Sequence, residues 1–406
     1  MAGRGVGLTG RWKAAALLLC LGLLTACATA PQSRPKVSPS PTSGVQAKQT
    51  PGQAPTFAGI ATMTSKTTCQ CSTLHLLSVT GSQLASVTLS PNVQPPVDAG
   101  LDGLYYVLGN NLMRLGVDGS DSQVGTVAVA PGGAGASVTP GPQLGALAVA
   151  PGATEWAYFQ SVTKGNSQTE QVWLGEPKVA PRVLVSSPEN SGVASPEFPN
   201  GWSYQLLGWQ GGALVVAQVP AGTATFASQA LEVFLVNPQT GAETVVSNSQ
   251  NCPVAAISTG AESVCFQQGG GQATEVVTAA SGITTGTWPL AAGGLYGAAT
   301  FEPSGTQIAF SNCSSCTATP NSAYLNSQME ILDTTTGSIQ QVGGSGLVSG
   351  AWIGPHQIVA TQYSQLTYAR AGSPPLSQVV VFDVVTGVAT ALTDDTTSQL
   401  LGIVTT

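Results

Sequence analysis

The sequence predicts an all-β fold: a seven-bladed β-propeller of four-stranded blades, with the C-terminal strand closing the first blade. Three observations predict it. No stretch after Thr56 sustains apolar residues at the 3.6-residue spacing of a helix. Runs of four to eight residues rich in Val, Ile, Thr, Leu and Tyr alternate instead with Gly, Asn, Asp and Pro turns. These runs group into seven units of about 35 to 60 residues, and a four-stranded unit repeated at that spacing means a propeller.

The first unit supplies strands at 57–63, 74–79 and 83–89, one fewer than the pattern requires. The second holds 103–108, 112–117 and 123–129, with turns at Asn110-Asn111 and Asp118-Gly119. A Gly/Pro segment, 131–142, separates it from the third, 144–185. The fourth, 205–246, has Asn237-Pro238-Gln239-Thr240-Gly241 as its last turn, and the fifth spans 253–290. The sixth, 297–341, is the clearest. Phe301-Glu302-Pro303-Ser304-Gly305 leads into Ile308-Ala309-Phe310, and Ile331-Leu332-Asp333 precedes Thr336-Gly337. The seventh, 349–392, aligns with it through Trp352, Ile358 and Asp383 before Thr386-Gly387. The tail, 400–404, reads as the strand missing from the first unit, and pairing it there would remove an exposed sheet edge. Trp209, Phe301 and Trp352, with Ile257 and Val149, fall near the end of each leading strand and are expected to wedge between blades as core.

Composition narrows the function. Only 8% of residues are charged, the formal net charge is −7, and 42% are hydrophobic, enough for a sizeable core. No basic run exceeds two residues, which excludes a nucleic-acid face. The amino terminus carries Arg4, Arg11 and Lys13, then an apolar run, 14–24, too short for a bilayer core of roughly 30 Å. It ends in Leu24-Thr25-Ala26-Cys27, which resembles the bacterial lipobox. The resemblance implies a lipoprotein signal peptide over 1–26, a diacylglycerol on the Cys27 thiol and an acylated new amino terminus. Several acyl chains give stable anchoring where one would be marginal. The Pro/Ser/Thr/Gln-rich segment 27–55 reads as a lipidated, disordered tether with an end-to-end distance of roughly 30 Å. Residues 56–406 form the propeller.

The sixth and seventh units resemble the WD40-like (PD40) repeat of the bacterial TolB-type propellers. Phe301, Pro303, Gly305, Ile308, Ala309, Phe310, Asp333, Thr336 and Gly337 match that repeat; Trp352, Ile358, Asp383, Thr386 and Gly387 match it more loosely. Glu302 and Ser304 stand where the repeat has Ser and Asp, and nothing here matches the α/β domain that precedes the TolB propeller. The resemblance covers about a quarter of the chain and implies fold more than partner.

The body holds six cysteines, Cys69, Cys71, Cys252, Cys265, Cys313 and Cys316, an even number that suits disulfides in an exported protein. Cys313 can pair locally with Cys316, whereas a Cys69–Cys71 bridge would be strained. Simple register puts Cys265 opposite a residue near Ala256, so a bond to Cys252 requires the incoming loop to fold back. The alternative use of Cys69, Cys71, Cys313 and Cys316 is a Zn²⁺ site built from thiolates. Otherwise no metal or cofactor is expected.

Catalytic signatures are scarce. His75 and His356 are the only histidines, on a predicted strand and in a hairpin turn, and no nucleophile elbow, phosphate loop or zinc-protease motif occurs. Asp118-Gly119-Ser120-Asp121 has part of a calcium-loop pattern without the remaining ligands, and Asp394-Asp395 reads as a solvated loop. The expectation is an extracytoplasmic lipoprotein, anchored to the cell membrane, whose propeller is a non-catalytic binding or scaffolding module for an envelope protein or a glycan. The alternatives are a propeller enzyme of lactonase, quinoprotein or cyclase type with its site at the channel mouth, or a cysteine-based redox or zinc sensor. Three or more Asp, Glu or His side chains converging on the channel would favour the enzyme. The sequence sets no oligomeric state.

Overall fold

The computed structural model describes residues 56–406 except 67–70, 90–94, 129–142, 145, 165–166, 191–200, 221–231, 249–253, 258–261, 270–271, 279–283, 292–293, 315–323, 365–375 and 394–397. Short strands rich in β-branched and aromatic residues pair as antiparallel meanders. Sheet I contains β1 (Phe57–Lys66), β2 (Cys71–Leu77) and β3 (Gln83–Thr88). Sheet II contains β4 (Pro96–Gly100), β5 (Gly103–Leu108), β6 (Asn111–Gly116) and β7 (Asp121–Thr126), with β8 (Gln143–Leu144) added parallel to β4. Sheet III contains β9 (Leu147–Val149), β10 (Trp156–Lys164), β11 (Ser167–Glu176) and β12 (Val179–Ser186). Sheet IV contains β13 (Trp202–Gln210), β14 (Ala213–Pro220), β15 (Glu232–Val236) and β16 (Glu243–Asn248). Sheet V contains β17 (Val254–Ile257), β18 (Ser263–Gly269), β19 (Gln272–Thr278) and β20 (Thr284–Pro289). Sheet VI contains β21 (Leu295–Phe301), β22 (Gln307–Cys313), β23 (Gln328–Asp333) and β24 (Ile339–Val342). Sheet VII contains β25 (Leu347–Gly354), β26 (Gln357–Tyr363), β27 (Ser377–Asp383) and β28 (Ala389–Ala391). Finally β29 (Ser398–Thr405) returns to sheet I and pairs antiparallel with β1.

This is an all-β propeller with four-stranded blades. The expectation of seven four-stranded blades is corrected: six sheets have four strands, and sheet II has five. The fifth is β8, a two-residue piece that lies beside β4 before the chain enters sheet III. Its leading strand β4 also escaped the sequence pattern, because Pro96-Val97-Asp98-Ala99-Gly100 carries a single large aliphatic residue. The tail behaves as its sequence suggests. Ile403 lies opposite Ile60, and Thr56 and Thr406 exchange backbone hydrogen bonds of 2.9 and 2.8 Å. On the other side of β29, the Asp102 N–H donates to the Thr405 carbonyl at 2.7 Å. The tail thus pairs along β1 and makes a single bridge to sheet II at its end.

Neighbouring sheets meet through side chains. Trp209 on β13 donates its indole N–H to the Ala148 carbonyl on β9 at 3.2 Å, and Trp352 on β25 donates to Thr300 on β21 at 3.2 Å. Each wedge is a core residue with its one polar atom satisfied across the seam, as a buried indole requires. Phe301, Ile257 and Val149 lie in the aliphatic and aromatic clusters of their own seams. Trp156, 1% exposed, fills the seam between sheets II and III and donates to the Thr126 carbonyl at 3.1 Å. A Cβ at Gly125 would come within 2.3 Å of this ring, so only glycine lets the indole lie flat on β7.

Register shifts recur beside the leading strands. They fall between Leu206 and Gly208, Val254 and Ala256, Gly297 and Thr300, and Ser349 and Ala351, and in β1 between Ala61 and Thr62. An extra residue at such a bulge sharpens twist, which suits strands crowded around an axis. The bulge in β17 also corrects the expected register of Cys265, which pairs with Val254 and not with Ala256.

Candidate functional site

The meander order sorts every connection onto one of two faces. Turns from first to second and third to fourth strand of each sheet lie on one face; turns from second to third strand, and the crossings between sheets, lie on the other. The first face carries tight turns, none longer than 150–155 or 237–242. Three of them repeat one device: Asp333, Asp383 and Asn237 each accept the N–H groups two and three residues on with Oδ1. The following Gly337, Gly387 and Gly241 take φ near +70°, where a Cβ is disfavoured. The Thr335 hydroxyl, with the Thr336 and Thr335 N–H groups, holds the Asp333 carboxyl below the usual range, and the Thr386 N–H and hydroxyl do the same for Asp383. The opposite face carries the connections 127–142, 187–201, 221–231, 314–327 and 364–376. Loops of that length on a rigid scaffold are where recognition is built.

Between the faces, the leading strands touch in succession: β29 with β4, β4 with β9, β9 with β13, β17 with β21, β21 with β25, and β25 with β29. Val215, Ala217, Val233 and Val254 join sheets IV and V. Among the described residues these leading strands contribute one carboxylate, Asp98, and no histidine. Asp98 lies opposite Tyr105 on β5, and its Oδ2 accepts the Val149 N–H at 2.7 Å. Burial pushes its carboxyl up to about 6, against the opposing pull of that hydrogen bond. A carboxyl poised near neutrality at the inner edge of two sheets can hold or release a proton at working pH. The sequence reading missed it along with β4. Glu170 on β11 is a second buried acid, 5% exposed; desolvation raises its pKa while the Ser203 hydroxyl and the Tyr204 backbone pull it down.

The residues singled out from sequence do not gather into one site. Cys27, Cys69, Cys252 and Cys316 lie outside the described residues. Cys71 opens β2 opposite Lys66, Cys265 is buried in β18, and Cys313 is buried at the end of β22. None of these three is a free thiol. No group of three metal-binding side chains occurs among the described residues.

His356 occupies the β25–β26 turn, where its carbonyl accepts the Val384 N–H at 2.9 Å. His75 is held between Thr64 Oγ1, 3.0 Å from Nε2, and Gln83 Oε1, 3.2 Å from Nδ1. Asp118 spends its Oδ1 on the Ser120 backbone and hydroxyl, and Asp121 accepts the Tyr106 hydroxyl at 2.9 Å. The calcium-like run is therefore a hydrogen-bonded turn. Asp394-Asp395 lies outside the described residues. No described helix is long and apolar enough to cross a membrane.

No family model matches the sequence, and no curated protein matches it. Among solved structures, an oligogalacturonate lyase in complex with manganese is similar at 11% identity and TM-score 0.47, over 75% of this chain and 81% of that one. The oligogalacturonate lyase of Vibrio parahaemolyticus gives 9% and 0.43, over 67% and 71%. Dipeptidyl peptidase 4 of Porphyromonas gingivalis gives 10% and 0.42, over 84% of this chain and 60% of that one. Such likeness bears on fold alone and carries nothing about activity.

Proposed function

We propose that this chain is an extracytoplasmic lipoprotein, lipidated on Cys27 after removal of 1–26, whose propeller binds or scaffolds an envelope protein or glycan without catalysis. In this reading sheet II counts as a seventh blade, and 27–55 is the tether. The single observation behind it is the asymmetry of the two faces. The chain enters at Thr56 and leaves at Thr406 on the tight-turn face. A lipid upstream of Thr56 would join the propeller through the strand that starts on that face, whereas the long connections start and end on the other. Disulfides among the six body cysteines suit the oxidising side of a membrane, and the three bonded sulfurs support them.

One observation favours a second reading, an enzyme with its site at the channel. It is Asp98, whose carboxyl sits near 6 on a leading strand. General acid–base chemistry needs such a group within reach of a substrate.

Crosslinked pull-down of the anchored protein from intact cells separates the two. Recovery of one stoichiometric envelope protein or glycan supports binding; a small molecule that the wild type converts and the Asp98→Asn variant does not supports the enzyme. Cys27→Ser is expected to release the protein from membranes, and retention would remove the anchor from the account.

A further inference from the structure

The seam between sheets I and VII changes chemistry along its length. Toward the tight-turn face it is aliphatic, with Ile60, Leu77, Val359, Val379 and Val381 packed together. Further along the same face of sheet I the register sets hydroxyls and an imidazole opposite one another: Thr62 faces His75, Thr64 faces Thr73, and Thr73 faces Thr88. Opposed residues in an antiparallel pair share one face of the sheet. β28, the outer strand that would cover them, runs only Ala389–Ala391, while the other outer strands have four to eight residues.

A cleft of about 440 Å³ remains there, lined by Thr62, Thr64, Thr73, His75, Thr88 and Thr393 among others. Its walls are set by a relay. Gln83 Oε1 can only accept, so His75 Nδ1–H donates to it; Nε2 then accepts from the Thr64 hydroxyl, and Gln83 Nε2–H donates to Ser86. Among the lining residues, Thr62 is fully buried and its Oγ1 has no hydrogen-bond partner. Buried hydroxyls without partners are rare and mark places where a missing group completes them.

We infer that this cleft binds a short segment of a neutral glycan. The inference deepens the glycan half of the proposed function and rests on it. Among the described residues no lysine, arginine or carboxylate lines the cleft, so an ionised ligand would find no partner among them. Threonine hydroxyls both donate and accept, as sugar hydroxyls do, and Leu77 and Leu392 offer an aliphatic wall to the ring's C–H face. Thr62, Thr64, Thr73 and His75 lie on the face of β1 and β2, strands paired on both sides, so a peptide could not add at them as another strand.

Calorimetric titration of the full chain tests this, using neutral trisaccharides of glucose, mannose and N-acetylglucosamine with a galacturonate trisaccharide as the charged control. At least one neutral sugar is expected to bind. Thr62→Val and the exposed Thr88→Val are each expected to weaken it about fivefold, the loss of one neutral hydrogen bond. Thr88 lies at the surface, so its variant decides the matter even if Thr62→Val fails to fold. Silence with every neutral sugar, unchanged affinity in both variants, or tighter binding of galacturonate would overturn the inference. If wild type and Thr62→Val capture the same envelope partner while the titration is silent, the cleft falls and the proposed function stands; silence in both experiments removes both.

Discussion

The two faces of this propeller are built from the same strands, yet they obey different rules. On the tight-turn face, short connections repeat a capped turn: Asn237, Asp333 and Asp383 bind the backbone ahead of them, and a glycine follows at positive φ. On the opposite face, connections such as 127–142 and 221–231 share neither length nor sequence. The difference teaches where this chain repeats one device and where it does not. One face carries the repeated turns together with Thr56 and Thr406, and the proposed function assigns the partner to the other.

The frame common to both faces is where the largest effect is expected. Trp156→Ala empties the seam between sheets II and III and should cost about 3–5 kcal/mol, read as a lowered midpoint in chemical denaturation. A smaller loss would mean that the seam collapses around the vacancy. Next comes Asp98, whose folded carboxyl titrates at about 6 against 3.8 when unperturbed. Between these values the folded chain keeps a proton that the unfolded chain has released. Stability from this group is therefore full below about pH 4 and lost as pH rises through 6. Asp98→Asn can still accept the Val149 N–H, so it should stabilise at pH 7 by on the order of 2 kcal/mol and change little at pH 4. Equal effects at both pH values would contradict the burial argument.

The tight-turn face is sharpened by Gly337→Val. Gly337 sits at φ +73°, and a Cβ there would lie 3.1 Å from Trp288. The expected cost is about 1–2 kcal/mol by thermal denaturation, and no cost would mean that the turn relaxes freely. The smallest effect belongs to Arg114→Leu. Arg114 bonds Asp102 at 3.2 Å from Nε and at 2.8 Å to its carbonyl, beside the tail strand, but the pair is partly exposed. Its loss should shift stability by under about 1 kcal/mol.

Strand content was legible because alternation and turn residues are local signals, and units six and seven carry them strongly in Ile308-Ala309-Phe310 and Asp383–Gly387. The closing tail was legible from a count of strands per unit. What escaped was set by neighbours. β4 is a strand because it packs between β29 and β9, not because its residues prefer one. The bulges beside Ala255 and Gly350 follow from crowding at the axis, and the first moves the partner of Cys265 by one residue, to Val254. Asp98 as a perturbed acid depends on burial that no local pattern encodes, and His75 was visible as a residue but not as part of a cleft with sheet VII.

The central claim, that the long-loop face meets the partner, is tested most directly by photocrosslinking in intact cells. A photoreactive residue replaces Thr225, in the connection 221–231, or Thr335, in the turn between β23 and β24. The account predicts a discrete crosslinked envelope species from position 225 and none from position 335. The same species captured from position 335 alone would contradict it.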